Sequence, residues 1–262
     1  MSDDVVADPG EPPVLTHVQG SIGHVTLNRP RARNAVTVAL ADALHDALVQ
    51  LAGQVAVIAV RGAGGTFCAG GDVDEVARLA AEGPAALRVL FERFGRACSV
   101  VATLGVPVVS VVEGHAMAGG FEFMQASDVV LVRDDAVVAD NHASVGQVPG
   151  GGGSQRLPRL VGPQRALSHI LLADRLDGRE AVAWGLAYRS APAADFEDMV
   201  AGVLARLASR DPAATARTKR LVYEGLRGPL ADGLARETDV VVEHLAEGAA
   251  ERLARAVRRS AG

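Results

Sequence analysis

Glu113–Leu131 reads EGHAMAGGFEFMQASDVVL, and its interpretation sets the architecture of the chain. It follows the apolar run PVVSVV and ends in VVLVR, two short stretches of the kind that form strands buried on both faces. Between them Gly119 and Gly120 open a short helix, whose first N–H groups have no intrahelical partner and point at whatever lies in front of them. Backbone that approaches without side chains, with N–H groups aimed at one oxygen, is what an oxyanion hole requires. Glu122 sits in the first turn of that helix among Phe121, Phe123 and Met124. A carboxylate there is either a helix-start charge at solvent or an acid–base group in an apolar cleft. The adjacent glycine pair favours the second reading, and desolvation would then raise its pKa toward neutrality.

The same strand, loop, helix order recurs on both sides. VAVIAV (55–60) is another all-apolar strand, followed at once by the glycine-rich RGAGGTFCAGGD (61–72). Before it, VLTHVQGSIGHVTLN suggests two strands around a turn, and Leu40, Leu44, Leu48 and Leu51 share one face of a helix over 37–51. Residues 84–104 read as a helix with Pro84 in its first turn. From Gly162 onward helical patterns dominate, at 163–173, 178–184, 195–209, 211–223 and 229–259, several with Asp or Pro starts. The fold class is therefore α/β with a helical C-terminal region.

A third glycine cluster lies in DNHASVGQVPGGGGSQRL (140–157). One glycine more often marks a tight turn than a site. Three clusters on successive strand ends point the other way. A dinucleotide fingerprint fails, because Phe67 stands where the third glycine counted from Gly62 should be. Lys219 is the only lysine, so no P-loop lysine accompanies a glycine run. A net charge of -5 with 3% aromatic residues argues against a nucleic-acid surface. Cys68 and Cys98 form no CxxC pair, which suggests neither a disulfide framework nor a metal site, and a reducing cytoplasm fits them best. The start MSDDVVADPGEPP has no signal-peptide pattern, and the Val100–Val112 run is too short to span a bilayer.

Taken together these segments resemble the crotonase superfamily, the enoyl-CoA hydratase/isomerase family. HVTLNRPRARNAV (24–36) is similar to its first-strand signature, FCAGGDV (67–73) to its first oxyanion loop and EGHAMAGGFEFMQASDVVL to its second. VGQVPGGGGSQRLPRLVG (145–162) and DRLDGREAVAWGLA (174–187) resemble the segments that follow. The resemblance implies a crotonase-like spiral of ββα repeats with C-terminal helices that assemble a homotrimer or a dimer of trimers. Its implied substrate is an acyl-CoA thioester; no cofactor is expected beyond that coenzyme A, and no metal, nucleic acid or membrane partner. The expected organisation is a leader at 1–12, the spiral core at 13–195 and a helical oligomerisation region at 196–262.

By the same resemblance the two N–H groups that stabilise a thioester enolate map to Gly71 and Gly119. Ala69, Gly70 and Asp72 fall in the CoA and loop-support segment. Arg29 and Arg33 are candidates to reach the CoA phosphates, and Lys219 to approach a neighbour's CoA. Glu122 matches the first of the two catalytic glutamates of the hydratases; the second position, four before Gly146, holds His142. A histidine exchanges protons near pH 7 with little tuning, so Glu122 and His142 form a candidate acid–base pair in which either activates water and the other serves the α carbon. Against this, His142 would merely fill the site and bond Asp140, Asn141 or a carbonyl. Asp140 lies two residues before it, which on a strand gives a shared face without guaranteed contact. His115 and Cys68 read as structural. Hydration of an enoyl-CoA leads; double-bond isomerisation, β-dicarbonyl hydrolysis or cleavage, and a silent acyl-CoA-binding subunit are the competing outcomes.

Overall fold

The computed structural model describes residues 10–249. In chain order the elements are β1 (Val14–Gln19), β2 (Ile22–Leu27), α1 (Val38–Ala52), β3 (Val57–Gly62), α2 (Val73–Glu82), α3 (Pro84–Val100), β4 (Val108–Val112) and β5 (His115–Met117). They continue with α4 (Gly119–Ala126), β6 (Val129–Arg133), β7 (Val137–Ala139), α5 (Gly153–Val161), α6 (Pro163–Leu172), α7 (Gly178–Ala183), β8 (Arg189–Ala191), α8 (Ala193–Ala208), α9 (Pro212–Gly225) and α10 (Leu230–His244). Two compact units divide the chain after Ser209.

In the first unit six strands form one sheet in the order β1-β2-β3-β4-β6-β8, antiparallel only between β1 and β2. A second, small sheet pairs β5 with β7 in parallel and is extended by bridges from Cys68 to Ala116 and from Val138 to Leu176. Each turn of the chain thus passes from the large sheet to the small one and on into a helix, which is the expected spiral of ββα repeats. β3 is apolar from Val57 to Val60, and β4 is apolar but for the buried Ser110, because both their faces are covered there. Ile58, Val60, Val108 and Val112 join a core with the leucines of α1, while Val57, Ala59, Val109 and Val111 pack with Phe196, Val200 and Leu204 of α8. α8 therefore belongs with the sheet, and the boundary expected at 195/196 moves to 209/210.

Caps begin the helices where the sequence has them. Thr37 Oγ1 accepts from the Leu40 N–H, Asp72 from that of Glu75 and Asp177 from that of Glu180. α2 is a helix that periodicity did not reveal: only Leu79 of it is fully buried. The expected leader lies outside the described residues up to position 9; within them Asn28 donates to the Glu11 carboxylate at 3.0 Å and to the Pro12 carbonyl at 3.2 Å.

In the second unit α9 and α10 are joined by an ion pair from Arg236 to Glu224 at 2.7 Å. The helix expected over 229–259 is described as far as Ala249, with α10 giving way at Leu245 to a wider turn in which Gly248 takes φ 90°. No helix among the described residues is long and apolar enough to cross a membrane.

Candidate active site

One cavity of about 260 Å³ gathers Ala69, Gly71, Gly119, Glu122, Asn141 and His142. Its apolar lining includes Val73 and Val76 of α2 and Leu90, Phe91 and Phe94 of α3.

One wall is made of backbone. The loop at Gly71 is pinned on two sides: Val36 N–H donates to the Gly70 carbonyl at 2.7 Å and Asp72 N–H to the Val36 carbonyl at 2.9 Å, while Cys68 N–H reaches the His115 carbonyl at 2.9 Å. Facing it, Ala118 adopts φ 46° and ψ -114° just before α4. Such a conformation costs a non-glycine residue about 1–3 kcal/mol. It is held by its N–H, which donates to the Ala139 carbonyl at 3.0 Å. A Cβ at Gly70 would lie 2.8 Å from that of Ala118, so the two loops meet because Gly70 has none. Gly119 is the first residue of α4, so its N–H has no intrahelical partner, and it lines the cavity at the positive end of the helix dipole.

The other wall is made of side chains. Glu122 is 2% exposed, which settles the choice between solvent and cleft. Its Oε1 accepts the N–H of Gly151 at 2.7 Å and of Gly153 at 2.8 Å. Burial pushes its carboxyl above the usual carboxylate range; those two N–H groups and the charge of His142 offset part of the rise. The glycine run now has its cause. A Cβ at Gly151 would run into the Phe94 ring and stand 2.7 Å from Glu122 Oε2, and one at Gly153 would stand 3.0 Å from Asp140 Oδ2.

His142 opens a single 3₁₀ turn, His142–Val145, directly after the small sheet. The chain therefore bends back at this point, and Nδ1 of His142 meets Oδ1 of the fully buried Asp140 at 2.6 Å. Burial pulls the imidazole pKa down, but the bond to Asp140 and the charges of Asp140 and Glu122 outweigh it and hold it above the ordinary histidine value. The weak strand-face argument against contact between Asp140 and His142 is thus corrected: neither residue lies on a strand.

The remaining expectations divide. Ala69 lines the cavity; Gly70 and Asp72 are not among its lining residues. Arg29 donates to Asp72 Oδ2 at 2.8 Å and to the Ala35 carbonyl at 2.5 Å, which makes it a brace of the Gly71 loop. Burial raises the Asp72 pKa, yet the Glu75 N–H and the Arg29 guanidinium prevail and hold it below the usual range. Arg33 is exposed, with φ 49°. Lys219 lies on α9 in the second unit, half-buried. Cys68 is a packing residue: burial pushes its thiol up to about 12. Phe91 and Phe94 belong to the segment 77–94 expected to shape the pocket, whereas His169 of α6, whose Nε2 accepts the Asp140 N–H at 3.2 Å, was unforeseen from the sequence. A histidine on an apolar helix carries no mark of such a contact.

The sequence matches the model of the enoyl-CoA hydratase/isomerase family over residues 17–253. A probable enoyl-CoA hydratase of Rhodobacter capsulatus is 33% identical over 213 residues, 81% of this chain and 82% of that protein. Among solved structures, an enoyl-CoA hydratase of Bacillus anthracis superposes with a TM-score of 0.89 at 26% identity, covering 95% of this chain and 96% of that one. A Thermobifida fusca relative crystallised with acetoacetyl-CoA superposes with a TM-score of 0.83 at 28% identity, covering 90% and 96%. The crotonase fold, the two-loop cavity and the sequence match agree, and the chain belongs to the enoyl-CoA hydratase/isomerase family of enzymes.

Proposed function

We propose that this enzyme acts on an acyl-CoA thioester, holds the enolate oxygen between the N–H groups of Gly71 and Gly119, and moves protons through Glu122 and His142. Hydration of an enoyl-CoA is the outcome the site supports best. The observation that carries the reading is the convergence of both glycines, Glu122 and His142 on one cavity. In hydration, water adds its oxygen to the β carbon and loses a proton to one of the pair. The π electrons move to the thioester oxygen, and the α carbon then takes a proton from the other. Each backbone donor is worth about 3 kcal/mol at the charged oxygen. The chemistry calls for no cofactor beyond the coenzyme A that the substrate carries.

The histidine at the second acid–base position favours a second outcome of the same enolate, isomerisation or cleavage of a β-dicarbonyl thioester. Incubation with a panel of enoyl-CoA and 3-oxoacyl-CoA substrates separates them by product mass. Hydration adds one water, isomerisation adds nothing, and cleavage yields two fragments. Turnover of none of them would overturn the enzymatic reading and leave acyl-CoA binding. A buried, N–H-bonded Glu122 is hard to reconcile with a silent subunit, since the cost of burying it serves no packing purpose. Assembly as a homotrimer or dimer of trimers in the cytoplasm belongs to the same proposal. It is supported by Leu226, Leu230, Leu234 and Val242, which the second unit leaves exposed, and sedimentation tests it.

A further inference from the structure

We infer that Asp140 is a positioning residue that fixes His142 as the proton donor of the pair and leaves Glu122 as the proton acceptor. This rests on the acyl-CoA reading above and assigns the roles that reading leaves open.

The argument begins with the carboxylate of Asp140. It is fully buried, its Oδ1 lies 2.6 Å from His142 Nδ1, and its Oδ2 has no hydrogen-bond partner among the described residues. A buried carboxylate without a counter-charge is costly, by several kcal/mol as a rough figure. Among the described residues, the side chain that bonds it is the imidazole of His142. Proton sharing in this contact therefore favours the imidazolium beside the carboxylate, with Nδ1–H donating to Asp140 and Nε2–H on the opposite edge of the ring. His142 lines the cavity, so the mobile proton is the one on Nε2.

The groups around the dyad agree with this division. Glu122, from α4, has its Oε1 taken by two N–H donors, an arrangement made for an acceptor, which leaves Oε2 to receive a proton. His169, from α6, accepts the Asp140 N–H through Nε2 and so carries its own proton on Nδ1; burial lowers its pKa and keeps it neutral, so it places no competing charge beside Asp140. Arg156, from α5, has Nη1 on the Gly151 carbonyl at 2.7 Å. In hydration, then, Glu122 Oε2 takes the proton of water as its oxygen bonds the β carbon. His142 Nε2–H gives its proton to the α carbon, and the proton on Glu122 returns through solvent to the neutral imidazole.

Two measurements decide the matter. Ring-nitrogen NMR of the wild-type enzyme, with the His142 signal assigned by loss in His142→Gln, needs no substrate. The expected result is a doubly protonated His142 ring at pH 7, and a singly protonated ring there overturns the proposal. In Asp140→Asn the same ring is expected to lose its proton about tenfold or more readily, a shift of about one pH unit. An unchanged titration also overturns it. The kinetic counterpart is the pH profile of kcat/KM with whichever acyl-CoA is turned over. Activity falls in acid as Glu122 protonates and falls in base as His142 loses its proton. Asp140→Asn moves the basic limb to lower pH and cuts kcat at pH 7 by about 10²-fold with little change in KM, and Asp140→Glu restores part of it. A basic limb that does not move refutes the role. If no thioester is turned over, the functional reading fails on its own, while the NMR titration still decides the dyad.

Discussion

The two walls of the cavity act through different parts of the chain. In the proposed mechanism the Gly71 and Gly119 wall works through main-chain N–H groups, and its loops are held by a ladder of backbone bonds and by a strained Ala118. The Glu122 and His142 wall would work through side chains, whose ionisation is set by burial and by neighbouring charges. A backbone wall resists mutation, because few substitutions remove an N–H. A side-chain wall is tunable and fragile, since one atom added or one charge removed changes its protonation.

The largest effect should come from breaking the side-chain wall at its centre. Glu122→Gln is expected to lower kcat by about 10³-fold, measured with the enoyl-CoA panel, while the melting temperature at neutral pH does not fall. The sign follows from linkage. The folded-state pKa of Glu122 is raised, so its ionisation opposes folding once pH exceeds the ordinary carboxylate range, and a neutral amide removes that opposition. A lower melting temperature would mean that the carboxylate holds the fold together. Gly151→Ala attacks the same wall by geometry: the added Cβ displaces Phe94 or Glu122, with an expected loss of about 10²-fold in kcat/KM.

The backbone wall should answer in stability first. Arg29→Met removes the partner of Asp72 and a donor to the Ala35 carbonyl, at about 1–2 kcal/mol by urea denaturation, limited because both groups touch solvent. The Asp72 pKa is depressed, so the stability it supplies is present above the ordinary carboxylate pKa and is lost as pH falls through the folded value. The difference between wild type and Arg29→Met should shrink accordingly in acid. The smallest effect is expected at Cys68, which packs beneath this wall with its thiol held near 12. Iodoacetamide at neutral pH should leave it unmodified and activity unchanged, and rapid alkylation would contradict its role as packing.

The two walls were also unequally legible. Two of the three glycine clusters, those that hold Gly71 and Gly119, marked the backbone wall in the sequence, because the absence of a Cβ is visible there. Glu122 and His142 were legible as positions in a resemblance, but their partners were not. Gly151 and Gly153 announced a close approach without naming the approaching atom, which is the Glu122 carboxylate. On a strand Asp140 and His142 would share a face without guaranteed contact. The turn after β7 folds one onto the other instead. Arg29, a candidate for the CoA phosphates by resemblance, pairs with Asp72 in the folded chain, and an arginine next to a loop does not declare which anion it will meet.

The sequence by itself determined the alternation of buried strands and helices, the family, and the identity of the residues able to move protons. The first follows from local periodicity, which does not depend on distant neighbours; the family and the proton-moving positions follow from the resemblance of the motifs. The protonation state of those residues was decided only in the folded chain. A pKa is set by what lies within a few ångströms: the N–H groups on Glu122, the carboxylate on His142, the neutral imidazole behind Asp140. The contacts of Glu122 and of His169 join segments about thirty residues apart that only the closed spiral brings together, and the one between Asp140 and His142 depends on how the chain turns after β7.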